Sequence, residues 1–348
     1  MTQRNEVHVY AGTAGHSAWF SEDAGQSWVH PNSHSGMYLE ARVWCFASHP
    51  AQPRHMYAGS DMGLYRWDEA DARWTALPSP LEDVWSIAMD PQDPAVLLAG
   101  GRPAALCRST DGGLSWTPAK VDGLRQFSDV NMGPTRVTQI LFDPVHADTV
   151  WATVEIGGIL RSRDRGRSWT LFEAGLQSSD VHGIAVVRAP GESAHIIAAT
   201  NRGLHRSRDL GETWVYEELP AHWQYARSIT AAVNDLSTVY VTIGNGPPGN
   251  SGRLLRSRNA GVTWANVSLP GEINSTVWCL ALHPSDAQLM FCATNLGQLF
   301  RSSDGGNNWE RMAHEFGELR ALHWRGLPAG IRITPHAITR PTIKVSNL

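Results

Sequence analysis

The sequence has few cysteines, four in 348 residues, and they lie in apolar, strand-like runs without metal-ligand spacing. This argues against a disulfide scaffold, and we expect buried, reduced thiols. No apolar run approaches the roughly eighteen residues of a membrane span, so no membrane partner is expected. The cysteines are Cys45, Cys107, Cys279 and Cys292.

Other features are missing as well. The formal net charge is -4, so no overall positive field indicates a nucleic-acid partner. The 15 histidines show no HxH or HExxH spacing, and we therefore expect neither a metal centre nor another cofactor. The first residues, MTQRNEVHVYAG, enter an alternating strand pattern without an apolar signal region, which indicates a cytoplasmic protein.

Tryptophan, in contrast, is abundant: there are 15, and many recur at one place in a repeat. The repeat reads Ser-x-Asp/Asn-x-Gly-x-x-Trp, and we call it the box. A seventh, degraded copy is WDEADARW at Trp67–Trp74, where Trp67 replaces the serine and Asp71 the glycine. The six complete boxes begin at Ser21, Ser109, Ser162, Ser207, Ser257 and Ser302.

The closing tryptophans of the seven boxes follow one another at 42 to 53 residues, the length of one four-stranded propeller blade. Each unit has an apolar strand, a turn, a strand ending in small residues, a glycine loop, a third strand and the box. We predict that the box is a hairpin: its Asp or Asn accepts turn N–H groups, its glycine takes a positive φ, and its tryptophan packs between blades. The box is therefore scaffold.

We predict an all-β chain forming one seven-bladed propeller. The first unit begins at its second strand, Val7–Thr13, and lacks an innermost strand. The segment ELRALHWRG, Glu318–Gly326, is predicted to supply that strand and close the ring, which removes free sheet edges. The predicted propeller covers residues 1–326, and residues 327–348 are expected to form a tail packed on it.

Six boxes spread over nearly the whole chain resemble those of the BNR or Asp-box β-propellers. That group includes sialidases, xyloglucan-cleaving endoglucanases, sortilin-type receptors and the photosystem II assembly factor. The resemblance implies the fold and leaves the function open, because these activities differ widely. The sequence departs from sialidases, since it has seven predicted blades where they have six and lacks an early Arg-Ile-Pro signature.

Ligands of propellers usually bind over the central channel, on the face opposite the boxes, which we call the mouth. Recurring arginines there suit carboxylate, phosphate or sulfate groups, and tryptophans suit flat rings. The alternatives are that the arginines pair with neighbouring acids and that the tryptophans belong to the core. The predicted ligand-binding residues are Arg42, Arg102, Arg136, Arg202, Arg227, Arg320, Trp44, Trp85 and Trp278.

Acid–base groups are also predicted at the mouth. Glu155 stands where other blades carry Asn, Asp or Arg, and His182 and Asp61 are the other predicted catalytic residues. Glycoside hydrolysis needs two carboxylates across the bond, whereas a carboxylate beside arginines is often only a salt-bridge partner. One hypothesis is a glycosidase-like hydrolase or lyase acting on an anionic small molecule or acidic sugar. The other is a non-catalytic propeller that binds a protein partner, as the assembly-factor resemblance suggests.

Overall fold

The computed structural model describes residues 6–128, 130 and 133–327, and these residues form 28 β-strands in seven small sheets. The described ranges contain no helix that is long and apolar enough to cross a membrane. The predicted tail lies outside the described residues, apart from Leu327 at the end of the last strand.

The chain builds one sheet after another, each with its first strand innermost, except in the first and fourth sheets. The first sheet contains β1 (Glu6–Thr13) and β2 (Ala18–Ser21). The second contains β3 (Val43–Ser48), β4 (His55–Ser60), β5 (Gly63–Asp68) and β6 (Arg73–Leu77). The third contains β7 (Val84–Asp90), β8 (Asp93–Gly101), β9 (Leu106–Ser109) and β10 (Thr117–Pro118).

The fourth sheet is antiparallel except at its outer edge, where β11 pairs in parallel with β15. Its strands are β11 (Lys120–Asp122), β12 (Arg136–Phe142), β13 (Val150–Glu155), β14 (Gly158–Ser162) and β15 (Ser168–Phe172). The fifth contains β16 (Val181–Val187), β17 (His195–Thr200), β18 (Gly203–Ser207) and β19 (Val215–Glu217).

The remaining strands complete seven blades. The sixth sheet contains β20 (Tyr225–Ala232), β21 (Asp235–Gly244), β22 (Gly252–Ser257) and β23 (Ala265–Val267). The seventh contains β24 (Val277–Ala281), β25 (Met290–Thr294), β26 (Leu299–Ser302) and β27 (Glu310–Arg311), and β28 (Leu319–Leu327) ends the described chain. The predicted all-β, seven-bladed propeller is confirmed.

The last strand closes the ring as predicted. β28 pairs antiparallel with β1, with Val9 opposite Trp324, and becomes the innermost strand of the first blade. The backbone N–H of Ala14 also donates to the carbonyl of Glu318 at 2.9 Å. The two ends of the described chain therefore share one sheet, and the sheet edge that each would otherwise leave free is paired.

The box is a hydrogen-bonded hairpin, as the copy at Ser162 shows. Ser162 Oγ donates to Asp164 Oδ1 at 2.7 Å and accepts from the N–H of Gly166 at 2.8 Å. Asp164 accepts from the N–H and the hydroxyl of Ser168, at 2.9 and 2.6 Å. Gly166 has a φ of 84°, and its carbonyl accepts from the indole of Trp169 at 3.2 Å. These bonds use the polar atoms of the box internally, which fits a scaffold role.

The arginine that precedes the box serine joins neighbouring blades, a role that the sequence analysis missed. Arg206, for example, donates to the carbonyl of Ala260 in the next blade at 2.9 Å and pairs with Glu217 of its own blade. Side chains at this position thus link successive boxes around the ring. The arginines bonded to a box carbonyl of the following blade are Arg108, Arg161, Arg206, Arg256 and Arg301.

The degraded box contains a buried ion pair. Glu69 is 1% exposed and accepts from the indole N–H of Trp67 at 2.8 Å. Its other partners come from the first blade: Arg325 of β28, which is 2% exposed, and His8 of β1, at 2.9 Å. The degraded box therefore differs from the six complete boxes. Its acidic residue, Glu69, pairs with Arg325 of the closing strand and so links that strand to the second blade.

Candidate functional site

All seven innermost strands begin in the same way. In each, a fully buried aliphatic residue is followed by one extra residue at which the pairing register with the next strand shifts, as at a β-bulge. A bulge redirects the side chain of its extra residue. The extra residues, in ring order, are Arg320, Trp44, Trp85, Thr138, His182, Arg227 and Trp278.

Six of these seven bulge residues were predicted as site residues, and the structure brings several of them into contact. The rings of Trp44 and Trp85 stack with centroids 4.2 Å apart and an interplanar angle of 15°. Arg136 lies over Trp85, 4.3 Å from the ring centroid, and Arg320 lies 5.8 Å from that of Trp44. Side chains from four blades therefore form one aromatic and cationic layer.

The layer continues on the other side of the ring. Arg320 and Arg227 both lie over Trp278, with guanidinium carbons 5.0 and 4.1 Å from its centroid. Burial lowers the pKa of Arg320, as do the positive charges of Arg227 and Arg136, although Glu318 raises it. Two of these arginines also have carboxylate partners, since Arg136 pairs with Glu155 and Arg320 with Glu318.

Several donors of this layer lack an acceptor. Among the described residues, no acceptor reaches the buried Nε of Arg227, Arg320 or Arg102. The same holds for the indole N–H of Trp278, a residue that is 5% exposed. Buried donors are normally paired, so unpaired donors are an unusual feature of these side chains.

Two predicted catalytic residues lie together. Glu155 is 9% exposed and accepts from the guanidinium of Arg136 with both of its carboxylate oxygens. His182 Nε2 lies 3.3 Å from Asp180 Oδ1, and its Nδ1 lies 2.7 Å from the carbonyl oxygen of Ala226. Glu155, Asp180 and His182 each place one polar atom within 4.8 Å of the other two.

Asp61 is placed apart from this group, in the second blade. Its Oδ1 accepts from the backbone N–H of Arg42 at 2.9 Å, so it fixes the start of β3. The Arg42 side chain is exposed, as is that of Arg202. The structure thus joins Glu155 to Arg136, another of the predicted ligand-binding arginines.

Asp83 supports the tryptophan pair. Its Oδ1 accepts from the indole N–H of Trp44 at 2.7 Å. Burial raises the pKa of Asp83, and hydrogen bonds from Trp85 and Trp44 oppose that shift without reversing it. Asp83 therefore fixes the orientation of the Trp44 ring.

The fold is a seven-bladed β-propeller, and tryptophan and arginine side chains at the bulges of its innermost strands contact one another. No family model matches the chain. The chain is 28% identical over 320 residues to a xyloglucanase of Paenibacillus sp, covering 74% of this chain and 30% of that protein. It is 26% identical over 337 residues to the xyloglucanase Xgh74A of Acetivibrio thermocellus, covering 77% and 39%.

The chain thus spans between 30% and 39% of the length of these two curated relatives. Among solved structures, the chain is similar to YCF48 bound to D1 peptide, with a TM-score of 0.53 and 16% identity, covering 82% of this chain and 95% of that one. This second likeness concerns the fold alone.

Proposed function

We propose that the mouth binds an anionic small molecule or an acidic sugar. The observation that carries the proposal is that the guanidinium groups of Arg227 and Arg320 both lie over Trp278 and that their buried Nε–H groups lack acceptors among the described residues, while a terminal nitrogen of Arg320 pairs with Glu318. A carboxylate accepts two parallel N–H bonds from a guanidinium, which a neutral hydroxyl does not reproduce. The ring of Trp278 and the stacked Trp44 and Trp85 offer flat apolar contacts to the body of the ligand.

Replacing Arg227 by methionine is expected to weaken binding of an acidic sugar by about 10- to 150-fold, the usual worth of a hydrogen bond to a charged group. Oligogalacturonides and the matching neutral galactose oligomers are the probes, and calorimetry is the measurement. Arg163→Met, which removes an exposed arginine of a box, is the control. Neutral oligomers that bind as tightly as the acidic ones, or an equal loss in Arg163→Met, would contradict the proposal.

The carboxylates beside the arginines suit bond cleavage. Glycosidases act with two carboxyl groups on either side of the bond, roughly 5–10 Å apart. Glu155 and Asp180 have oxygens within 4.8 Å of each other, which is closer than that spacing, so we do not assign these two as the pair that acts across the bond. The xyloglucanase names of the curated relatives support this chemistry. We assign proton transfer to Glu155 with His182 beside it, and Asp61 stays a predicted catalytic residue.

Glu155→Gln is expected to lower turnover of a cleavable acidic oligosaccharide by about 10²- to 10⁴-fold while binding changes only a few-fold, because the amide cannot transfer the proton. Released reducing ends are the measurement, with calorimetry on the same protein. The control is Glu315→Gln, an exposed acid that pairs with Arg311. Unchanged turnover in Glu155→Gln would show that the assignment is wrong.

The second candidate function is docking of an acidic protein segment without turnover. It is favoured by exposed apolar side chains in the loops around the mouth: Tyr38, Met62, Phe127 and Leu296 are 41–64% exposed. The peptide in the YCF48 structure supports it too. An acidic peptide with hydrophobic flanks, titrated beside the oligogalacturonides, separates the candidates, since binding of the peptide alone favours docking.

A further inference from the structure

We propose that Glu155, Asp180 and His182 form a binding site for a divalent first-row transition-metal ion at the mouth. Each of the three side chains offers one ligand atom, and the three atoms lie within 4.8 Å of one another. The set is two carboxylate oxygens and one imidazole nitrogen, donors that such ions accept. The site shares Glu155 and His182 with the proposed function but rests on other observations, and its occupancy can be measured without any sugar.

The orientation of His182 is the first argument. The residue is 5% exposed, and its Nδ1 lies 2.7 Å from the carbonyl oxygen of Ala226. A carbonyl oxygen is only an acceptor, so the hydrogen of this bond belongs to Nδ1. In the neutral ring Nε2 then carries a lone pair, the arrangement common among metal-binding histidines.

The second argument concerns the atom that this lone pair faces. Asp180 Oδ1 lies 3.3 Å from His182 Nε2, is buried, and has no hydrogen-bond donor among the described residues. Two acceptor atoms therefore face each other with no hydrogen between them when the ring is neutral. A cation coordinated by both atoms removes the repulsion and satisfies the buried oxygen.

A comparison inside the chain shows that this arrangement is particular to the fifth blade. The third blade reads Asp83–Val84–Trp85 where the fifth reads Asp180–Val181–His182, and the valines are equally buried. Asp83 Oδ1, however, accepts from the indole of Trp44. The same scaffold position thus carries a satisfied carboxylate in one blade and a buried, unpaired carboxylate oxygen beside a histidine in the other.

The third side chain completes the site. Glu155 is held by the guanidinium of Arg136, which fixes its carboxylate and lowers the entropy that metal binding must overcome. The two carboxylates offset the charge of a divalent ion among the neighbouring arginines. Three protein ligands leave at least one coordination position open, to water or to the carboxylate of a bound ligand.

The experiment measures Zn²⁺ bound to the full chain after dialysis and chelator competition, by elemental analysis, without any sugar present. We expect about one more Zn²⁺ per chain in the wild type than in His182→Gln, and an affinity for that ion reduced by more than about 100-fold in the variant. Asp83→Asn is the matched control and is expected to retain the ion. Co²⁺ added to the wild type should give a visible absorption band that His182→Gln lacks.

Equal Zn²⁺ content in the wild type and in His182→Gln would overturn the proposal, as would loss of the ion in Asp83→Asn. If His182→Gln does not fold, Asp180→Asn replaces it, since that side chain is partly exposed. A metal-free wild type whose nitrogen-15 spectra show a doubly protonated His182 and that binds no Co²⁺ also overturns it. Binding of oligogalacturonide that depends on Arg227 would survive any of these results, so the two proposals fail separately.

Discussion

Trp169→Ala is expected to lower the free energy of unfolding by about 3–5 kcal/mol, the usual cost of truncating a large buried aromatic residue. Trp169 is 2% exposed and belongs to a core cluster that includes Leu98 of the preceding blade, so the truncation leaves a cavity between two blades. It also removes the indole donor to the carbonyl of Gly166. Urea unfolding followed by tryptophan fluorescence and circular dichroism measures the change.

Trp116→Ala is the matched control. Trp116 closes the box of the third blade, and its indole donates to the carbonyl of Gly113 at 3.1 Å, but its side chain is only partly buried. Each variant removes the equivalent indole-to-carbonyl hydrogen bond of its own box. The difference between their losses in the free energy of unfolding therefore reports the packing of the ring. An equal loss in both would contradict the claim that burial between blades sets the contribution of Trp169.

Arg325→Met is expected to cost a similar 3–5 kcal/mol, because it leaves the carboxylate of Glu69 buried without its cationic partner. Burial raises the pKa of Glu69, but the hydrogen bond from His8 and the charge of Arg325 outweigh it, so the pKa is lowered overall. A lowered pKa gives stability that is present at neutral pH and is lost as the pH falls through the folded-state value. The same urea measurement, repeated toward acid pH, follows both effects.

Two further variants test the explanation. Arg311→Met removes an exposed partner of Glu315 and should cost less than about 1 kcal/mol. Glu69→Met combined with Arg325→Met removes both buried charges and should restore much of the stability lost in Arg325→Met alone. A double variant less stable than Arg325→Met would show that the pair acts through other contacts, such as those of Arg325 with the carbonyls of Pro53 and His55.

The fold was predictable because its signals are local. Each box contains the serine, acid and glycine that make its own hairpin, and the strand before Ser162 carries the apolar residues that the core requires. The pairing of Glu318–Gly326 with the first blade followed from a missing strand at one end and a spare strand at the other. The hairpin argument needs only residues that are close in the sequence. The closure argument needs only the rule that free sheet edges become paired.

The site was less predictable because it depends on contacts between blades. Most mouth residues were identified by their place before or within the inner strands, yet the sequence did not indicate that Glu155 pairs with Arg136 or that Trp44 stacks on Trp85. These contacts depend on bulges and on the angle between blades. One signal was present: Asp180 and His182 stand two residues apart at the start of an inner strand.

The seven bulges separate what the blades need from what the mouth displays. At each innermost strand, the buried residue before the bulge secures the blade, while the extra residue varies from tryptophan to threonine, histidine and arginine. The side chain at the bulge thus differs from blade to blade while the pairing of the strand stays the same, although several of these side chains are bonded to a neighbouring blade. These seven positions can therefore carry different side chains, and so a different specificity, on the same arrangement of sheets.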